Sequence, residues 1–137
     1  LKTKQATETL INRKVDIIMS GVNLGNYGMF RAVEDANRPT YVTSIYTDKT
    51  ELAPDHFLTS DLFKYNGLII EIVNGIINED NTTGLYDMEY GPDQGRYLKL
   101  PVNNVSKETN KWIESIANEV ASGEIQVEEK LDEIKEY

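Results

Sequence analysis

The 137-residue chain has no cysteine and a single histidine, His56. Without thiols there is no disulfide frame, no thiol nucleophile and no thiolate metal site. One imidazole cannot form the histidine pair of a common metal site, and His56 sits among turn residues, where a histidine reads as a surface group. Basic residues are also scarce: 14 Lys and Arg against 23 Asp and Glu give a net charge of −9. A nucleic-acid-binding face needs a basic patch, and anionic lipid attracts basic segments, so neither partner fits this balance. No apolar run approaches the roughly 18 residues of a membrane span. No signal peptide opens the chain and Leu1 is not an initiator methionine, so the chain reads as a piece of something longer or a processed product.

What is present is an alternation of apolar strands and amphipathic helices over about one domain's length. Its organising stretch runs from Lys14 to Val33. The apolar run Val15–Met19 meets a glycine-rich loop, Gly21 to Gly28, and a helical pattern follows with Met29, Phe30 and Val33 as apolar positions. Strand, glycine loop and helix form the first half of a βαβ unit, whose loop lies at the carboxyl end of the strand, where open α/β sheets bind ligands. Backbone N–H groups at the helix start favour anions or hydroxyls there.

The rest of the chain fits around this unit. A helix is expected over 2–13, with Ala6, Leu10 and Ile11 on one face. The central helix should stop near Asn37, ahead of Pro39. Tyr41–Tyr46 is β-branched and aromatic and reads as a strand, with a polar loop, Thr47 to Thr50, at its carboxyl end. Phe57 to Thr59 reads as a short strand, and Ser60 as the cap of a long helix from Asp61 to Asn78. That helix is apolar over much of its circumference, so it should be covered on more than one side, either by the sheet plus a neighbouring helix or by a missing partner. Leu85–Tyr90 and Arg96–Leu100 read as a hairpin-like pair. Ser106 caps a further helix with Trp112, Ile113, Ile116, Ala117 and Val120 on its apolar face, and Gly123 ends it. Ile125 and Val127 suggest a short extended piece, and Glu128–Tyr137 an amphipathic helix within a tail starting at 124. The expected fold class is α/β: a three-layer sandwich with a mostly parallel sheet, residues 1–137 forming one lobe.

A dinucleotide fingerprint would need G-x-G-x-x-G, but the corresponding positions are Asn23, Gly25 and Gly28. Asp48 stands 20 residues beyond Gly28, where such folds place a ribose-binding acid. The match is partial, and a tight turn with close helix–strand packing explains Gly25 and Gly28 without a cofactor. Asn23 and Asn26 carry amides that suit sugar hydroxyls and base edges. Tyr27 or Phe30 can stack on a flat ring, although a helical phenylalanine also suits the core. Asp48, at the end of the next strand, can accept hydroxyl hydrogen bonds. Asn23, Asn26, Tyr27, Phe30 and Asp48 are therefore the candidate ligand-binding residues. Nowhere do nucleophile, base and orienter occur together, so the pattern favours binding over catalysis, without cofactor or metal.

The order and spacing of four motifs resemble the basic membrane lipoprotein family, substrate-binding lipoproteins of ABC transporters that include nucleoside receptors. These are Gly28-Met29-Phe30-Arg31-Ala32 after the glycine loop, Leu58-Thr59-Ser60, the Tyr86–Leu100 region, and Val105-Ser106 through Ser122-Gly123-Glu124-Ile125-Gln126-Val127. The resemblance implies one lobe, the second, of a type I periplasmic-binding-protein-like fold, with a polar small molecule such as a nucleoside clamped against a missing N-terminal lobe. It also implies an ABC permease as partner and a lipid anchor on the extracytoplasmic face of the membrane in the full-length protein, this piece itself being soluble. At two positions expected to face the ligand the chain departs from the family pattern. Tyr46 stands where the first of two loop aspartates is usual, leaving Asp48, and the expected basic residue falls near Phe63 or Lys64, one place out of register. Two other functions are compatible with the fold: a sensory or regulatory effector module, and a nucleotide-cofactor-binding enzyme domain using the Asn23–Gly28 loop.

Overall fold

A computed structural model describes residues 2–80, 86, 88–92 and 95–127. Helix α1 (Lys2–Asn12) leads into the two-residue strand β1 (Ile17–Ile18), the glycine loop and helix α2 (Asn26–Glu34). Strand β2 (Tyr41–Tyr46), a 3-10 turn (Thr50–Leu52) and strand β3 (Phe57–Phe63) follow. Helix α3 (Asn66–Ile77), strands β4 (Glu89–Tyr90) and β5 (Gly95–Leu98), and helix α4 (Lys107–Ala121) complete the described chain. The expected tail helix, Glu128–Tyr137, and the beginning of the expected Leu85 strand lie outside the described residues. Ile125 and Val127 join no strand; Ile125 instead donates its N–H to the Glu119 carbonyl at 3.0 Å.

The sheet has the order β1-β2-β3-β5-β4. β1, β2 and β3 are parallel, so their carboxyl ends share one edge. β5 runs antiparallel to β3, and β4 runs parallel to β5. The class is therefore α/β with a mixed, mostly parallel sheet, and the expected hairpin is corrected. β5 is committed to β3 through Asp61, Leu62 and Phe63, and the chain enters it at Gly95 with φ +111°. A side chain there would also press on Met88 Sδ at 3.2 Å. Glu89 aligns with Gly95 and Tyr90 with Arg96, so the chain does not reverse as a hairpin must.

The expected helix from Asp61 is corrected as well. Asp61 and Leu62 find ladder partners on both sides, in β2 and β5, and Phe63 pairs with Arg96 of β5; these ladders outweigh a local helical pattern. Ser60 is thus a fully buried strand residue, not a cap, and α3 begins only at Asn66. Ser106 does cap α4: its hydroxyl accepts from Thr109 N at 3.0 Å. Gly123 follows that helix at φ +78°, the left-handed conformation in which glycine costs least.

The core lies between α1, α2 and the β1–β3 half of the sheet. Met29, Phe30, Val33, Val42 and Phe57 are at most 2 % exposed. The Phe30 and Phe57 rings meet at 6.1 Å. The loop glycines serve this packing: a Cβ on Gly25 would stand 2.6 Å from Thr3 Oγ1, and one on Gly28 3.0 Å from the backbone nitrogen of Lys4. They let α2 approach α1, which is helix–helix rather than helix–strand packing. Further along, Asn110 clamps the Val102 backbone with both amide atoms, and Asn104 Nδ2 donates to the carbonyls of Pro54 and Phe57.

The other end of the sheet is barely covered. α3 and α4 approach it at β5 and β4, and neither buries a residue. Ile69, Ile70, Val73, Ile76 and Ile77 are all exposed on α3, and Trp112 on α4 is 66 % exposed. The expected cover of the apolar helix by the sheet and a neighbouring helix is therefore not found among the described residues.

Two glycine substitutions should separate packing from propensity. Gly28→Ala is expected to cost about 1–3 kcal/mol, because the Lys4 backbone cannot yield as a side chain can. Gly67→Ala in α3, with open space around it, should gain about 0.5–1 kcal/mol. Urea unfolding midpoints measure both; equal shifts would contradict the close approach of α1 and α2.

Candidate functional site

The carboxyl edge of the parallel strands carries, in spatial order, the glycine loop after β1, the Tyr46–Thr50 turn after β2, and Phe63 to Tyr65 after β3. The backbone reverses abruptly after β2. Tyr46 has φ +77°, and Thr47 N bonds back to Ile45 O at 3.1 Å, a γ-turn. The turn folds Thr47 over the sheet, where its carbonyl accepts from Ser60 Oγ at 3.1 Å, with Ser44 Oγ at 3.5 Å. Those two buried hydroxyls are 2.7 Å apart. Lys49 secures the same turn: its ammonium donates to Ile45 O at 2.8 Å, Thr47 Oγ1 at 3.0 Å and Thr47 O at 3.4 Å. All three donors are thereby used, and burial lowers the Lys49 pKa.

Asp48 follows directly. Its Oδ1 accepts from Thr50 N at 3.0 Å and Thr50 Oγ1 at 2.6 Å, and its Oδ2 pairs with Lys99 Nζ at 2.6 Å. Lys99 also donates to Thr50 Oγ1 at 2.5 Å, which closes a three-residue ring of polar contacts. Burial alone would push the Asp48 carboxyl up, but hydrogen bonds from Lys99 and Thr50, with the charge of Lys99, outweigh it and hold the pKa at about 2. A carboxylate has about four lone-pair sites, of which three are taken, and an ammonium has three donors, of which two are taken. Among the described residues the pair, with Asp48 47 % and Lys99 25 % exposed, therefore leaves one acceptor and one donor side by side, a fit for adjacent hydroxyls. Sequence reasoning found Asp48 but missed Lys99 and Thr50. Lys99 lies on the chain just after β5 and reaches Asp48 only because β3 pairs with β5, so no local spacing marks it.

The other candidates divide by burial. Asn23 is exposed, and Tyr27 is 56 % exposed at the start of α2. Asn26 is fully buried: its Oδ1 accepts from Ser20 Oγ at 2.7 Å, while its Nδ2 is buried without a partner. Phe30 lies in the core at 2 % exposure, which withholds its ring from a ligand in this conformation. The structure thus leaves Asn23, Tyr27 and Asp48 at the surface of one sheet edge, in the segments that follow the neighbouring strands β1 and β2.

The family model for "ABC transporter substrate-binding protein PnrA-like" matches residues 1–130. The chain belongs to this Bmp family. Among solved structures it is similar to an ABC transporter solute-binding protein from Conexibacter woesei DSM 14684, with a TM-score of 0.60 and 14 % identity over 93 % of the chain. At that identity the likeness speaks for the fold alone. The chain spans 42 % of that neighbour's length. No curated protein matches it significantly. The family is described as substrate-binding proteins and the neighbour as a solute-binding protein. Among the described residues, no helix of this Bmp-family chain is long and apolar enough to cross a membrane.

The Asp48–Lys99 pair has a pH signature. A folded pKa of about 2 against an ordinary 3.8 means that the pair's stabilisation is present above pH 3.8 and is lost as pH falls through 2. The expected carboxyl-carbon NMR titration of Asp48 has its midpoint near 2 and moves upward in Lys99→Met. A midpoint unmoved by that substitution would rule out the ion pair in solution.

Proposed function

We propose that this chain is the ligand-binding lobe of an ABC transporter substrate-binding lipoprotein that holds a nucleoside-like polar molecule between two lobes. The observation that carries this reading is the Asp48–Lys99–Thr50 ring, an ionised and oriented donor–acceptor pair on the ligand-binding edge of a parallel sheet. Its free acceptor and free donor match two neighbouring hydroxyls. Asn23 and Tyr27 stand on the adjacent loop as the next polar and planar contacts, and buried Asn26 and Phe30 set that loop from behind. The exposed apolar face of α3 supports the two-lobe reading, because a contiguous apolar surface of this kind marks an interaction site. In the complete receptor the lobe works with an N-terminal lobe and an ABC permease, and a lipid anchor holds it on the extracytoplasmic face of the membrane.

Closure of two lobes supplies about half the contacts and expels water from the cleft. Because the fixed cost of association must be met first, the isolated lobe is expected to bind nucleosides at millimolar concentration or not at all. In the two-lobe receptor, Tyr27→Ala and Asp48→Ala should each weaken binding by about 1–3 kcal/mol, roughly 5- to 150-fold. Calorimetric titration with a nucleoside panel measures this, and circular dichroism melts check that both variants stay folded. Unchanged affinity in both would remove these residues from the site, and micromolar binding by the isolated lobe would sink the half-receptor reading.

A further inference from the structure

Helix α3 carries its apolar residues in two sets. Leu68 and Ile72 are partly buried, and the helix meets the rest of the sheet at β5. Ile69, Ile70, Val73, Ile76 and Ile77 are 45–71 % exposed. At about 3.6 residues per turn these five fall on roughly one third of the circumference, so they form a single stripe. Glu71, the only charged residue of α3, falls on the opposite side of the helix.

The chemistry of the stripe points to what covers it. It holds no hydrogen-bonding side chain, so nothing in it reads a polar partner. Every member is β-branched, and such side chains hold few rotamers and lose little entropy on burial. A lipid surface suits it poorly, because α3 has no Lys, Arg, Trp or Phe to seat an interfacial helix. Residues 128–137 suit it poorly too: they hold five acids, with only Leu131 and Ile134 as aliphatics against the five of α3. A second copy of the same stripe meets each requirement. Two-fold symmetry sets α3 antiparallel to its mate, so that one patch serves on both sides. Ile69, Val73 and Ile77 then form an i, i+4 ridge that lies in a groove of the facing helix. The stripe presents about 500 Å² on each copy, so the pair removes about 1,000 Å² from water, the least that a specific contact needs. A net charge of −9 sets two copies against each other, and the uncharged stripe is where they approach at low electrostatic cost.

We propose that this chain forms a two-fold dimer through the exposed stripe of α3. Val73, at the middle of the stripe, lies nearest the two-fold axis. The proposal concerns the 137-residue chain by itself, and its failure leaves the receptor reading unchanged.

Sedimentation equilibrium on that chain tests it. The expected result is a reversible dimer with a Kd in the micromolar range, the weak end that about 1,000 Å² supports. Raising the ionic strength from about 0.01 M to about 0.15 M shortens the Debye length from about 30 Å to about 8 Å and should tighten the dimer, because it screens like-charge repulsion. Val73→Lys should weaken the dimer at least roughly tenfold by setting two buried ammonium groups face to face, although it lowers the net negative charge. Glu71→Lys lowers that charge further from the opposite side of α3 and should not weaken the dimer. The chain has no cysteine, so Val73→Cys supplies one thiol per copy. Mild oxidation should link Val73→Cys chains into disulfide dimers and leave Glu71→Cys chains largely unlinked, since only the former pair comes within bonding distance. This linkage decides the matter should Val73→Lys fail to fold. A chain that stays monomeric at high micromolar concentration overturns the dimer. So does a dimer that folded Val73→Lys leaves intact, or equal linkage from positions 71 and 73. A chain that dimerises only when truncated after Val127 also overturns it, and assigns the stripe to residues 128–137.

Discussion

The carbonyl of Thr47 is the point on which the candidate site depends. It accepts from the buried Ser60 hydroxyl, with Ser44 and Lys49 at longer range, and this set of donors holds a γ-turn folded back over the sheet. A left-handed tyrosine costs about 1–3 kcal/mol and persists only where its surroundings over-determine it. Here they do, because a buried serine hydroxyl without an acceptor would cost a similar amount. Release the turn, and Asp48 loses its approach to Lys99 while Tyr46 loses its ring contact with Phe63. One backbone reversal therefore positions the polar pair and the Tyr46–Phe63 ring contact, 5.2 Å between centroids, at once.

This constraint also explains why β3 is longer than its sequence suggests. Ser60 satisfies its hydroxyl beneath the turn, Asp61 and Leu62 then have strand partners on both sides, and Phe63 has one in β5. Read alone, Ser60-Asp61 before a run of apolar residues is a good helix start. The long-range ladders decide otherwise, since a filled backbone ladder on each side outweighs a local cap worth about 1 kcal/mol. The extension matters for the site, because it carries Phe63 to the edge where Tyr46 waits.

The glycine loop plays a different part from the one its pattern first suggests. Gly25 and Gly28 are close-contact residues that seat α2 on α1, and with them Asn26 and Phe30 turn inward. Exposure then separates Asn23 and Tyr27, which remain available, from the residues that hold them. The same sequence stretch thus serves as both packing wedge and ligand edge. Its apolar and polar members interleave at helical spacing, and only the direction of α2 assigns each to a side.

The sequence by itself determined the α/β class, the strand–loop–helix unit, the capped α4 and the family, because these rest on local periodicity, caps and ordered motifs. It also placed Asp48 at a strand end beside that loop, from spacing alone. Only the tertiary structure decided that β5 runs against β3, which brings Lys99 to Asp48 across some fifty residues of chain. It likewise decided that Phe30 lies in the core, that Ser60 belongs to a strand, and that Tyr46 and Phe63 touch. Those outcomes depend on which strands pair and in which direction, and pairing is a property of distant segments that no local pattern encodes.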